Sequence, residues 1–184
     1  MRECWKWKQK YKKKFLMARI YYLSSTNSDL TGGIDFNKHL TSNIATASTI
    51  SPSSATSATE ISRAYTQILH PGSAGTVTGN YTVTIDVTVA NSNIFVSVQI
   101  HRINSTGTIQ TSSGASAEQQ ISSTGQKTFT LSSVNLGTFT STDRMSVDYK
   151  VRNSAMGSQS ITIATDDVDS SIITPFVTRQ FSIS

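Results

Sequence analysis

Three kinds of residue in this chain could do chemistry: a short run of aspartates, three histidines and a large stock of serines. Asp166, Asp167 and Asp169 lie within four positions of one another. Carboxylates gathered in a loop are the oxygen ligands that calcium prefers. The run lacks both the turn glycine and the distant glutamate of a calcium loop, so a solvated loop between strands also explains it. We keep these three aspartates as calcium candidates and expect no other metal or cofactor.

No catalytic signature accompanies these residues. The three histidines are far apart in the sequence, at His39, His70 and His101. They therefore lack the spacing of metal ligands. A Ser-His-Asp arrangement is compatible with the sequence but uninformative in a chain so rich in serine. Glu60 and Glu118 could form a glycosidase pair only if the fold places them at the right separation. Because the common nucleophile-elbow, zinc-protease, dinucleotide and phosphate-loop motifs are missing, we expect a protein that is not an enzyme.

The elements that must position any site are strands. Residues 81–89 alternate Tyr, Val, Ile, Val and Val with Thr, Thr, Asp and Thr, which predicts a strand with one buried and one wet face. A turn at 90–93 and a second alternating run at 94–100 predict a hairpin. Further strands are predicted at 108–111, 128–131, 145–151 and 161–163, and through Phe176, Val177 and Phe181.

These patterns predict an all-β fold. About eight strands separated by turn signals, with no helical window, are typical of an antiparallel β-sandwich of the jelly-roll kind. Wet alternating faces argue against a parallel sheet. We predict that residues 60–184 form the sandwich and that residues 17–59, which include a Ser/Thr-rich linker, form an extended N-terminal arm.

The positive charge is concentrated in residues 1–16. The whole chain has 16 basic and 11 acidic residues, a net charge of +5. The first sixteen positions contain seven of these basic residues and one acid, so the rest is nearly neutral. We expect Met17 to be the natural start. If the segment belongs to the protein, it is either a solvated tail or an arm that binds nucleic acid, and the candidate residues for that binding are Lys6, Lys8, Lys10, Lys12, Lys13 and Lys14.

Three stretches together resemble a known kind of protein: 21–38, with YYLSS and SDLTGGIDFNK; 79–113, GNYTVTIDVTVANSNIFVSVQIHRINSTGTIQTSS; and 143–154, DRMSVDYKVRNS. They resemble virion structural proteins of tailed bacteriophages, over most of residues 17–184. The resemblance implies a head-decoration, cement or accessory particle protein that oligomerises on the surface of the virion. It transfers no functional site.

Several functions stay open. The leading one is a non-enzymatic virion structural protein whose partners are further copies of itself or a capsid protein. Residues 18–59 could then drape over a neighbouring subunit, and the candidate partner contacts are Tyr21, Tyr22, Phe36 and the out-of-phase Phe95. The alternatives are a glycan- or receptor-binding sandwich and a small coat protein with a nucleic-acid-binding arm. A near-neutral body makes nucleic acid the weaker partner, and no stretch predicts a membrane span.

Overall fold

The alternating runs of the sequence become strands of one curled sheet. A computed structural model describes residues 19–30, 36–41, 45–54, 59–66, 75–140 and 142–175. Across these residues every regular element is a strand and no helix occurs. The predicted all-β sandwich is therefore confirmed. Within the same ranges, no helix is long and apolar enough to cross a membrane.

Fourteen strands lie in the described part of the chain. In order they are β1 (Arg19–Asn27), β2 (Phe36–Thr41), β3 (Ser48–Ile50), β4 (Ser53–Ser54), β5 (Thr59–Thr66), β6 (Gly75–Val89), β7 (Ile94–Ile103), β8 (Ile109–Ser112), β9 (Gln119–Gln120), β10 (Gly125–Phe139), β11 (Arg144–Asn153), β12 (Gln159–Ser160), β13 (Thr162–Thr165) and β14 (Ser171–Thr174).

Twelve of these strands form a single sheet, and β4 pairs with β12 separately. The main path runs β3, β13, β6, β14, β1, β2, β5, β11, β7, β8, with β10 also paired to β6 and β9 to β7. Among the described strands, β2 and β5 make the one parallel pair. The sheet curls back on itself, so that the half containing β6 and β10 and the half containing β7 and β11 share one hydrophobic cluster.

The core is built by the apolar phase of each long strand. On β6, Tyr81, Val83 and Ile85 are fully buried, and the intervening threonines face outward. Phe129 and Leu131 of the paired β10 point into the same layer. The other half of the sheet supplies a matching set from β7 and β11, namely Val96, Val98, Ile100, Val147, Tyr149 and Val151. Each such side chain contributes about 1.5–3 kcal/mol through burial.

Both β1 and β2 lie inside this sheet. β1 pairs with β14 on one side and β2 on the other, and Leu23 and Leu40 are each 1% exposed within the core. The backbone of Leu23 accepts a hydrogen bond from Asp166 N–H at 2.7 Å. The N-terminal segment predicted as an arm thus contributes strands and core side chains to the sandwich of its own chain.

The strand count exceeds the predicted eight for physical reasons. The Ser/Thr-rich stretch contains β3 and β4, which have too few apolar residues to show an alternating pattern. β14 has only four residues, and β9 and β12 have two each. The basic segment 1–16 and the strand predicted through Phe176, Val177 and Phe181 lie outside the described residues.

Candidate functional site

A cluster of polar side chains lies on the outer face of β5, β11, β7 and β8. We call it the polar cluster; it comprises Arg63, His101, Ser112 and Asp148. Strand register brings them together, because Arg63 stands opposite Asp148 and His101 opposite Ser112. Arg63, His101 and Asp148 are buried, whereas Ser112 on β8 is exposed. Since the other three residues of the polar cluster are buried, a ligand could reach the cluster only at Ser112.

The polar cluster is linked by short contacts. Both oxygens of Asp148 accept hydrogen bonds from the Arg63 guanidinium, one of them at 2.7 Å from Nη2. Nε2 of His101 lies 3.1 Å from the Asp148 Oδ2, while its Nδ1 lies 2.7 Å from Ser112 Oγ. Nε2 of His101 faces the Asp148 carboxylate without the alignment of a directed hydrogen bond. Burial raises the pKa of Asp148, but Arg63 and His101 outweigh burial and hold that pKa below its usual value.

A second ion pair lies on the same face. Both terminal nitrogens of Arg144 donate to the Asp29 carboxylate, at 2.7 and 2.9 Å. These bonds lower the pKa of Asp29 to about 2. Since Asp29 follows β1 and Arg144 begins β11, the pair anchors the chain after β1 across the face of β11. Leu30 lies beside Gly107 in the next turn.

The opposite half of the sheet carries an uncharged patch on its outer face. Two rows cross four strands in the order β10, β6, β14, β1. One row is Thr130, Thr82, Ile173 and Ile20, and the other is Thr128, Thr84, Ser171 and Tyr22. We call these eight residues the outer grid. Ile20 and Ile173 are 43% and 41% exposed, which is unusual for large apolar side chains on a strand.

The aspartates predicted as calcium ligands do not point to one place. Oδ2 of Asp166 accepts a hydrogen bond from Ser25 N–H at 2.8 Å, and Asp169 accepts one from the Gln126 side chain. Asp167 accepts the backbone N–H of Asp169 at 2.9 Å. Across the described ranges, no three His, Cys, Asp or Glu side chains are grouped to hold a metal ion. The structure adds no support to calcium binding there.

The acidic loop nevertheless affects a neighbour. Burial raises the pKa of Asp86 on β6, and the negative charges of Asp169 and Asp167 raise it further. Asp166 responds in the opposite direction: burial raises its pKa, but hydrogen bonds from Ser24 and Ser25 outweigh burial and lower it. The carboxylate of Asp166 in the loop is therefore stabilised, whereas the loop destabilises that of Asp86 on β6.

The predicted partner contacts occupy different environments. Tyr21 packs against the core, whereas Tyr22 belongs to the outer grid. Phe36 lies on β2, and its side chain is outside the described residues. Phe95 faces outward under the guanidinium of Arg152, 4.3 Å from its ring centre. Of the three residues whose side chains the structure describes, only Tyr22 contributes to a continuous uncharged surface.

The remaining candidates are scattered. Glu118 binds Arg152, with 2.8 Å between Oε2 and Nη2, and the side chain of Glu60 lies outside the described residues. His39 stands on β2, and His70 lies outside the described residues, as do all six lysines of the predicted nucleic-acid arm. No glycosidase pair is therefore visible in the described residues.

Sequence reasoning missed the polar cluster. The alternation over 145–151 indicates a strand whose polar side chains face water, yet Ser146 and Asp148 are 0% and 2% exposed. A weak signal was available: Ser146, Asp148, Arg63 and His101 all fall on the polar phase of a strand. Their meeting depends on which strands are neighbours and in what register, and neither follows from local pattern.

Comparison with known proteins supports the fold. No protein-family model and no curated protein matches the chain. A structure of a CocE/NonD family hydrolase from Staphylococcus aureus has a TM-score of 0.59 at 12% sequence identity, over 89% of this chain and 37% of the hydrolase. A second structure of a hydrolase of this family from the same organism has a TM-score of 0.56, with the same identity and coverage.

This likeness reaches no further than architecture. The chain spans little more than a third of the hydrolase, and 12% identity shows a shared fold alone. A structure of infectious bursal disease virus, Gx strain, matches with a TM-score of 0.32 at 8% identity, over 81% of this chain and 37% of that chain. That score is too low to support a conclusion. The absence of enzymatic activity remains a prediction.

Proposed function

We propose that this chain is a virion structural protein that acts by packing against further copies of itself through the outer grid. The observation that carries the proposal is the grid itself: eight outward side chains on four adjacent strands without a single charge. The resemblance of residues 17–184 to virion proteins of tailed bacteriophages supports the same role. A capsid decoration or cement protein on the particle surface is the specific form we favour.

The chemistry of the grid suits a second copy. An uncharged face can meet an identical face without like-charge repulsion, which is the requirement of a two-fold interface. Ile20 and Ile173 stand side by side at the β14–β1 end of one row and supply apolar area, while the threonines of β6 and β10 supply both methyl groups and hydroxyls. Thr84 and Thr128 Oγ1 atoms lie 3.5 Å apart, so the hydroxyls of β6 and β10 meet at this pair.

Sedimentation velocity over a range of protein concentrations tests this proposal. We expect the unmodified chain to associate as its concentration rises. Ile173→Lys places a charge within the grid, beside Ile20, and should keep the chain monomeric. Ile109→Lys is the matched control, because Ile109 is also 41% exposed on a strand but lies on β8, outside the grid.

Two results would contradict the proposal. One is a monomer at every concentration, and the other is equal loss of association in both lysine variants. A glycan array provides a separate readout for the carbohydrate-binding alternative. Glycan binding by a strictly monomeric chain, lost in Ile173→Lys, would assign the grid to sugars instead of subunits.

A further inference from the structure

The polar cluster contains a chemical arrangement that subunit packing does not require. Ser112 Oγ lies 2.7 Å from His101 Nδ1, and His101 Nε2 lies 3.1 Å from Asp148 Oδ2. The hydroxyl is on an exposed residue, whereas the imidazole and the carboxylate are 3% and 2% exposed. A serine open to solvent in front of a buried base and a buried acid is the geometry of an activated nucleophile.

We propose that Ser112 is a nucleophile that takes acyl groups from small esters, with His101 as its general base. Of the two neutral tautomers of the imidazole, the negative charge of Asp148 beside Nε2 favours the one that carries its proton on that nitrogen. Nδ1 is then left with a lone pair directed at the Ser112 hydroxyl. The imidazole is therefore positioned to accept the hydroxyl proton as the oxygen attacks.

The reaction balances with an ester and water alone. Ser112 Oγ forms a bond to the acyl carbon while its proton passes to His101 Nδ1. The bond to the leaving alcohol then breaks, and the alcohol departs with that proton. Water attacks the acyl-serine in the same way, which releases the acid and restores the hydroxyl.

Arg63 sets the expected strength of this activity. Its guanidinium already holds both oxygens of Asp148, so the carboxylate has less charge available to stabilise an imidazolium than an unpaired aspartate would have. We therefore expect acylation of Ser112 by activated esters and slow release of the acyl group. General-base assistance is worth about 10²–10⁴-fold, which bounds the effect.

Intact-mass measurement and peptide mapping after exposure of the full chain to p-nitrophenyl acetate test the proposal. We expect one acetyl group on Ser112, and release of p-nitrophenol at least about tenfold faster than in Ser112→Ala. Ser105→Ala is the matched control, because Ser105 is an exposed serine in the nearby β7–β8 turn. That variant should react like the unmodified chain.

His101→Gln tests the role of His101 as general base. Because His101 is buried and its replacement could prevent folding, Ser112→Cys serves as a second variant. In Ser112→Cys, His101 should speed thiol alkylation by iodoacetamide relative to Ser105→Cys. Equal acetylation rates in the unmodified chain and Ser112→Ala, or equal alkylation of the two cysteines, would overturn the proposal. Ile173→Lys should leave the labelling unchanged, so failure of subunit association and failure of this site are distinguishable.

Discussion

The guanidinium of Arg63 holds both carboxylate oxygens of Asp148 across the β5–β11 pair. Their side chains are 10% and 3% exposed, so the two charges neutralise each other away from water. Replacing one member of a buried ion pair greatly lowers the stability of the fold, because the remaining charge stays buried without its partner. Replacing both members together leaves no such charge.

Replacing one member of this pair should destabilise the fold far more than replacing both members together. We expect Arg63→Met to lower the free energy of unfolding by about 3–5 kcal/mol, and the double variant Arg63→Met with Asp148→Leu to regain most of that loss. Urea unfolding followed by circular dichroism measures both values. Arg152→Met breaks the exposed pair with Glu118 and should lower the free energy of unfolding far less than Arg63→Met does. Similar losses in all three variants would contradict this account.

The pair also predicts a loss of stability in acid. Burial opposes ionisation of Asp148, but Arg63 and His101 hold its folded-state pKa below the ordinary 3.8. The unfolded chain therefore binds a proton at higher pH than the folded chain does. The stabilisation from Asp148 is fully present above the unfolded pKa and is lost as the pH falls through the lower folded pKa.

Unfolding free energies measured from neutral to strongly acid pH check this direction. The unmodified chain should lose stability below the ordinary pKa of aspartate, and Asp148→Asn should show a shallower dependence on pH. Asp29, with a pKa of about 2, contributes a slope of the same sign, so Asp29→Asn serves as a comparison at an exposed position. An unchanged slope in Asp148→Asn would contradict the prediction.

Asp86 should show the opposite sign. Burial and the charges of Asp169 and Asp167 raise its folded-state pKa, so ionisation of Asp86 opposes folding. Stability is then lost as the pH rises through that pKa. We expect Asp86→Asn to raise the melting temperature at neutral pH, with a smaller difference in acid where the carboxyl is already protonated. A lower melting temperature at neutral pH would show that the carboxylate has a favourable partner instead.

Gly79 marks a place where β6 has no room for a side chain. Its φ is 150°, and a Cβ there would lie 2.6 Å from Cβ of Pro175. We expect Gly79→Ala to destabilise the fold by about 1–3 kcal/mol. Gly114→Ala is the control, because a Cβ at Gly114 meets nothing within 4 Å. Thermal melts of both variants give the comparison. Equal melting temperatures would show that the chain at Pro175 can move aside without loss of stability.

Local pattern was enough to predict the long strands. Val83 and Ile85 alternate with threonines in the sequence and alternate between core and surface in the structure, because a strand turns successive side chains to opposite faces. The same rule could not predict β4 or β14, which are too short to show a period. Nor could it predict the parallel pairing of β2 with β5.

The candidate sites were harder to predict, because they depend on contacts between distant positions. His101 meets Asp148 because β7 and β11 are neighbours in one register, and a slip of one residue would turn one of them inward. The outer grid likewise needs β14 between β6 and β1. Only Tyr22 of the grid was among the predicted partner contacts, since an uncharged threonine row is indistinguishable in sequence from an ordinary wet face.

The position of β1 in the sheet has a consequence for how the chain is made. β1 is flanked by β14, and Ser25 bonds to Asp166 across 141 positions of sequence. During synthesis β1 therefore emerges long before the strand beside which it must lie. Contacts between such distant segments form slowly, and an edge left unpaired in the meantime favours aggregation. We therefore expect β1 to stay unpaired with β14 in the nascent chain until β14 leaves the ribosome. The yield of folded protein should then depend on translation speed and on chaperones.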